Sequence, residues 1–466
     1  MATLSEMTEI MARGGGVGIN LSSLRPRRSI VRGVNGSSSG AVSWGGLFSY
    51  TTGLIEQGGS RRGALMLMMN DWHPDVLDFI TVKQTMGQIT NANLSVCVSN
   101  GFMKAVKEDL DWELVYPDTT DPEYNEIWDG DLEKWRKAGK NIIHYRTVKA
   151  RDVWHTIIES AWKSAEPGVV FMEYYNQMSN SWYFNPIICT NPCGEQGLPA
   201  WGVCNLSAIN LSKFYDEEKH DVAWDELATV VRYSTRFLDN VIDKTPYHFE
   251  ENRINQQGER RIGLGSMGLA ELMIKLNIRY GSTESLMFLD KLYGFIAKEA
   301  YLASADIAEE KGSFKHFDTE LFLQSGFMKT MTSVYPEVGA ASRRRGCVMS
   351  RSLRRRLPEA RVRWLAHRPG SSLTLRLNIT VKAVWASTSN MCRLRSSGRI
   401  STRTRSCRII SSLRWTCPQK IIFVYKPPFK NGWIALSPKR PTALPTLRWK
   451  KRSVCTSSPL IWVVKA

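Results

Sequence analysis

The segment Asn191-Pro192-Cys193-Gly194-Glu195 sets an amide, a thiol and a carboxylate on alternate residues. In an extended chain, alternate side chains face the same way. The three groups would then converge on one small molecule. A second thiol, Cys204, follows eleven residues after the first, inside the apolar run Val203-Cys204-Asn205-Leu206-Ser207-Ala208-Ile209. Taken singly, each group has a plainer reading. A cysteine in an apolar strand is usually core, and Cys97 and Cys189 are read that way. Glu195 alone reads as a surface acid. Only the joint occurrence points to a reacting site.

The surrounding pattern supplies elements to position these groups. Met1–Met11 is apolar at helical spacing, and Arg13–Gly18 is a glycine-rich turn leading into a short strand, Val17–Leu21. No Gly-Lys-Ser/Thr follows, so the turn is not a phosphate-cradling P-loop. Two loops read as flexible: Arg25–Gly40, basic and then Gly/Ser-rich, and Gln57–Ala64. Gly46–Glu56 between them reads as a helix. Ala64–Met69 and Asn93–Val98 read as buried strands. Glu108–Glu133 is acidic and polar and is expected to be a surface excursion. Val153–Lys163, Trp224–Ile242, Gly268–Leu276 and Ser285–Glu310 read as helices, and Arg261–Leu264 as a strand. Strands alternating with helices predict an α/β fold with mainly parallel strands.

Charge divides the chain in two. Residues 1–340 hold 33 Lys+Arg against 43 Asp+Glu, whereas residues 341–466 hold 29 Lys+Arg against a single acid, Glu359. The overall net charge of +18 describes neither part. A basic tail of this kind suits nonspecific attraction to nucleic acid. It also lacks a sustained period of 3.6 or 2, so 341–466 is expected to be disordered. The first 340 residues are long enough for one large α/β domain with a sizeable core. No run of 18 apolar residues indicates a membrane span. No signal-peptide pattern is present, and the nine cysteines lack framework spacing. A reduced, cytoplasmic protein fits. The histidines give no HxxH or HExxH pattern, so no metal site is expected.

With these residues in view, the chain resembles the large, catalytic subunit of ribonucleotide reductase over about residues 10–330. The carrying strings are Asn191-Pro192-Cys193-Gly194-Glu195-Gln196, Cys204-Asn205-Leu206-Ser207-Ala208-Ile209-Asn210-Leu211, Gln57–Ala64 and Arg261-Ile262-Gly263-Leu264-Gly265-Ser266-Met267-Gly268-Leu269. The Pro-Cys-Gly-Glu-Gln form is most similar to the adenosylcobalamin-dependent class. The alternative is the class served by a diiron site and tyrosyl radical on a separate small subunit. The resemblance implies a ten-stranded α/β barrel of two five-stranded parallel halves, with a central finger loop carrying Cys193 at its tip. It implies that Cys193 becomes the thiyl that abstracts the ribose 3′ hydrogen. Glu195 is then the general base on the 3′ hydroxyl, Asn191 holds the ribose hydroxyls, and Cys204 is half of the reducing dithiol that ends as a disulfide. It also implies an effector nucleotide sensed by Arg25 and by the loop residues Gln57, Gly58, Gly59 and Arg61. A ribonucleotide substrate, a thioredoxin-like reductant and a second copy of the chain are the implied partners.

The chain departs from the family pattern at both ends. The resemblance places a first barrel strand and a second reductant cysteine ahead of Met1, so Met1 is expected to be an internal methionine of a longer protein. The substrate-phosphate loop would fall near residues 350–365, inside the basic segment. Translated one frame off, Pro369–Ala386 permits the string Gly-Ile-Glu-Pro-Tyr-Phe-Ala-Phe-Glu-Tyr-Tyr-Arg. Trp433–Thr442 in the same frame permits Asp-Ser-Ser-Ile-Ser-Lys-Thr-Ala-Asn. Both look like the family's C-terminal half. The hypothesis is an unrepaired frameshift between about Met331 and Cys347, and coding DNA without such an open frame would refute it. Residues 1–340 would then be a partial catalytic barrel and 341–466 an out-of-frame tail. Loss of strands at both ends exceeds a net stability of about 5–15 kcal/mol, so the chain is expected not to sustain turnover alone. The competing readings are a non-catalytic remnant and a nonspecific nucleic-acid-binding protein.

Overall fold

A computed structural model describes residues 1–350 except 32–34, 58–60 and 86, together with the backbone of 460–463. Seven strands form its main sheet: β1 (Gly16–Asn20), β2 (Leu65–Asn70), β3 (Asn93–Val98), β4 (Gly168–Phe171), β5 (Val203–Asn210), β6 (Ile262–Met267) and β7 (Leu460–Val463). Their spatial order is β4-β3-β2-β1-β7-β5-β6. The first five run parallel to one another. The sheet reverses at the next pair, because β7 is antiparallel to β5, and β5 is then parallel to β6. Two parallel sets of opposed direction are thus present. Closure into ten strands is not reached within the described residues.

Helices pack against the sheet on more than one face. They include α1 (Ala2–Ala12), α2 (Ala41–Leu54), α3 (Asn100–Glu108), α4 (Ala150–Ser164), α5 (Met172–Met178), α6 (Trp224–Lys244), α7 (Glu250–Glu259) and α8 (Thr283–Lys311). The two-residue period of the strands separates two cores. Val17, Ile19, Leu65, Leu67, Met69, Leu94, Val96 and Val98 pack with Met7, Phe48, Phe79 and Phe102. Met66, Met68 and Cys97 belong to a second cluster, with Cys189, Leu198 and Cys204. That is why Leu65–Met69 is apolar without alternation: it is buried on both faces. A further core lies between β5, β6, α6 and α8, around Ile209, Val231, Leu238, Leu264, Leu292 and Ile296.

Most predicted elements appear, Asn93–Val98 with the same bounds. The acidic excursion does not hold as a purely polar surface feature. Asp111–Pro117 pairs antiparallel with Ile142–Lys149. Beside this ribbon Tyr116, Tyr124 and Trp135 are buried with Trp72 and Trp128 packed against them. The acids masked a small aromatic core. The helix expected at Gly46–Glu56 begins earlier, at Ala41. Asp75 fixes that start, because its carboxylate accepts the Ala41 N–H at 2.9 Å. Among the described residues no helix is long and apolar enough to cross a membrane.

Candidate active site

Cys189–Thr190 and Gly197–Leu198 pair antiparallel and make a narrow hairpin. Its closing turn is Asn191–Gln196. The Asn191 N–H donates to the Gln196 carbonyl at 3.0 Å, and the Gly194 N–H to the Asn191 carbonyl at 2.9 Å. Gly194 adopts φ of +78°, a left-handed conformation that glycine takes without strain. Alternation in an extended strand is therefore not what gathers the three groups. A tight turn gathers them. Asn191 and Glu195 are buried, and Asn191 Nδ2 donates to Glu195 Oε2 at 2.7 Å. Asn191 Oδ1 accepts the Gln196 N–H at 2.8 Å. Between them Cys193 stands exposed at the tip.

The hairpin lies directly on β1. A Cβ on Gly18 would come within 1.9 Å of the Thr190 carbonyl oxygen, and one on Gly16 within 2.6 Å of Pro192 Cγ. Gly16 falls in the predicted turn Arg13–Gly18, and Gly18 in both that turn and the predicted strand Val17–Leu21. In the fold they are strand residues whose missing side chains admit another backbone. Asn20 Nδ2, at the end of β1, donates to the Ile188 carbonyl at 2.9 Å. Asn93 Nδ2 donates to the Pro192 carbonyl at 2.6 Å. Neither asparagine was singled out from sequence. Both contacts join residues more than ninety positions apart, and no local pattern signals them.

Cys204 is wholly buried on β5, in the same cluster as Cys189 and Leu198 of the hairpin. Gly263 on β6 makes room for it, since a Cβ there would meet Cys204 Sγ at 2.8 Å. Cys97 and Cys189 are buried, as expected of core cysteines. Burial pushes both thiols well above the ordinary thiol range.

The other predicted site residues lie elsewhere. Arg25 is half-buried; its guanidinium stacks 4.9 Å from the Tyr124 ring centroid and donates to Asn125 Oδ1 at 3.4 Å. It is held by the ribbon region rather than standing as a solvated charge. Gln57 and Arg61 face each other as a pair in a two-residue ribbon. Gly58 and Gly59 lie outside the described residues, as does the substrate-phosphate loop expected near 350–365 beyond residue 350. The expected tail, 341–466, lies outside them too, apart from 341–350 and the backbone of β7.

Comparison with known proteins gives the family. The family model for the ribonucleotide reductase barrel domain matches residues 1–363. A vitamin B12-dependent ribonucleoside-diphosphate reductase of Thermoplasma acidophilum is 37% identical over 352 residues, covering 75% of this chain and 43% of the relative. A protein of the same name from Mycobacterium tuberculosis is 35% identical over 338 residues, covering 72% and 45%. The ribonucleoside-diphosphate reductase large subunit of Variola virus is 30% identical over 322 residues, covering 67% and 41%. The chain thus spans less than half the length of these curated relatives. With a match that takes in the hairpin, its supporting glycine strand and both thiol positions, this chain belongs to the ribonucleotide reductase barrel-domain family.

Proposed function

We propose that this site carries out thiyl-radical reduction of a ribonucleotide, a ribonucleoside diphosphate by analogy with the named relatives. The observation that carries the reading is the turn itself: an exposed thiol flanked by a buried, hydrogen-bonded amide and carboxylate. Cys193 abstracts the 3′ hydrogen of the ribose. Glu195 takes the proton of the 3′ hydroxyl, a task that needs a carboxylate within hydrogen-bond reach. Asn191 orients the ribose hydroxyls and the carboxylate together. Cys204 supplies one thiol and an added dithiol such as dithiothreitol the other, and their oxidation to a mixed disulfide accompanies loss of the 2′ hydroxyl as water.

The cofactor of this reading is adenosylcobalamin, which when bound supplies the one-electron chemistry that oxidises a thiol. The residues present fit it at one point: Cys193 is exposed, while the other described cysteines are buried. The diiron and tyrosyl-radical alternative would need a separate subunit. A nucleotide effector acting through Arg25 and the Gln57–Ala64 loop, a thioredoxin-like reductant, a homodimer and a cytoplasmic setting belong to the same proposal. Sustained turnover by this chain alone does not.

A single-turnover assay tests the reading. The protein is mixed with adenosylcobalamin, dithiothreitol and a ribonucleoside diphosphate, and deoxyribonucleotide is quantified after quenching. We expect up to about one product per chain from the unaltered protein and none from Cys193→Ala or Glu195→Gln. Equal yields from Cys193→Ala and the parent would sink the proposal.

A further inference from the structure

The geometry points to Tyr175 and Arg261 as positioning residues that hold the hairpin arm carrying Glu195, a role that rests on the reading of the turn given above. Gly197 lies two residues after Glu195 and pairs with Thr190. Both of its main-chain polar groups are taken up by side chains from other elements. The Gly197 N–H donates to Tyr175 Oη at 2.9 Å. Its carbonyl accepts from Arg261 Nη1 at 3.3 Å. Tyr175 comes from α5, beside β4, and Arg261 from the residue before β6. The arm is thus gripped from both parallel sets of the sheet.

The grip is built rather than incidental. Arg261 is fully buried, and so is its counter-ion Glu259. Nε donates to Glu259 Oε1 at 2.7 Å and Nη2 to Oε2 at 3.0 Å, while Nη2 also donates to Ser181 Oγ at 3.0 Å. A planar guanidinium fastened along one edge can aim its remaining N–H groups in only one direction. Here that direction is the Gly197 carbonyl. Tyr175 comes so close that a Cβ on Gly197 would meet its Cε1 at 2.5 Å. The next residue of α5, Asn176, grips the opposite arm. Its Oδ1 accepts the Ile187 N–H at 2.7 Å and its Nδ2 donates to the Ile187 carbonyl at 2.9 Å. Consecutive residues of one short helix therefore hold both arms of the hairpin.

Displacement of a reacting group by about 1 Å can cost about 100-fold in rate. Tyr175→Phe is the informative variant, because it removes only the hydroxyl and leaves the ring in place. Two readouts are taken on the full chain. Amide exchange by mass spectrometry follows the peptide containing Gly197, and single-turnover kinetics with a ribonucleoside diphosphate give the rate and KM. We expect exchange at Gly197 to rise at least about tenfold with β2 amides unchanged, and the rate to fall about 10- to 100-fold with KM within about twofold. Arg261→Lys, which retains the charge beside Glu259 but not the fork, should give an intermediate fall. Unchanged exchange overturns the assignment whatever the rate does, and so does faster exchange with an unchanged rate. If the unaltered chain makes no deoxyribonucleotide, the reading of the site fails, and the exchange result still decides whether the clamp exists.

Discussion

Asn191 ties the carboxylate of Glu195 to the main chain of its own turn. One end of the amide donates to Glu195 Oε2 at 2.7 Å, and the other accepts the Gln196 N–H at 2.8 Å. An aspartate could accept but not donate, and a serine could not span both. Asn191→Ala should therefore loosen the carboxylate and strip a buried hydrogen bond from the Gln196 amide. The expected cost is about 1–3 kcal/mol, read as a lowered thermal midpoint. Single-turnover yield should fall with it. A midpoint within error of the parent would show that the amide is not structural.

Gly18→Ala tests the seat of the hairpin. The added methyl would lie 1.9 Å from the Thr190 carbonyl oxygen, a contact that only movement of the backbone can relieve. Overpacking of this kind typically costs about 1–3 kcal/mol. The finger should lift, and Cys193 should become more reactive toward iodoacetamide. Gly46→Ala is the control, since a Cβ there meets nothing within 4 Å.

Thiol reactivity should follow burial. Cys193 is exposed, whereas Cys97, Cys189, Cys204 and Cys347 are buried. Burial pushes the Cys97 and Cys189 thiols far up and Cys347 up to about 11. At pH 8, peptide mapping after brief alkylation should show Cys193 labelled first among these five. Early labelling of Cys97 or Cys189 would mean that the hairpin does not rest on the sheet.

Asp71 should make stability depend on pH. The residue follows β2, is 1% exposed, and accepts the Ser99 N–H at the start of α3 on Oδ2 at 2.6 Å. Its Oδ1 is buried with no hydrogen-bond partner. Burial pushes the carboxyl up to about 7, against about 4 in an unfolded chain. Between these values the folded protein keeps a proton that the unfolded chain releases. Stability from this group is therefore full below about pH 4 and lost as pH rises to about 7, a swing on the order of 4 kcal/mol. Asp71→Asn should flatten the decline in denaturation midpoint between pH 5 and 8. An unaltered slope would rule Asp71 out as its source.

The three groups of the proposed site could be singled out locally because they lie within five residues of one another. Asn191, Cys193 and Glu195 come together through a turn closed by its own hydrogen bonds, Asn191 to Glu195 and to Gln196. A strand such as Leu65–Asn70 was legible because burial on both faces makes Leu65–Met69 continuously apolar. What could not be read is the support. Asn20 reaches Ile188, Asn93 reaches Pro192, and Arg261 reaches Gly197 across separations of 168, 99 and 64 residues. Only the assembled sheet creates those contacts. Gly16 misled for a related reason: glycine marks a flexible turn and a close approach to another segment alike, and the difference lies in the distant partner. In the acidic excursion, solvent-facing carboxylates hid Tyr116, Tyr124 and Trp135, whose packing depends on Trp72 and Trp128.

The glycines of β1 carry one more implication. At Gly18 no side chain of β1 stands between strand and finger, and the Thr190 carbonyl comes against bare backbone. The floor under the finger is there made of peptide planes, so its depth does not depend on which rotamer a strand side chain adopts.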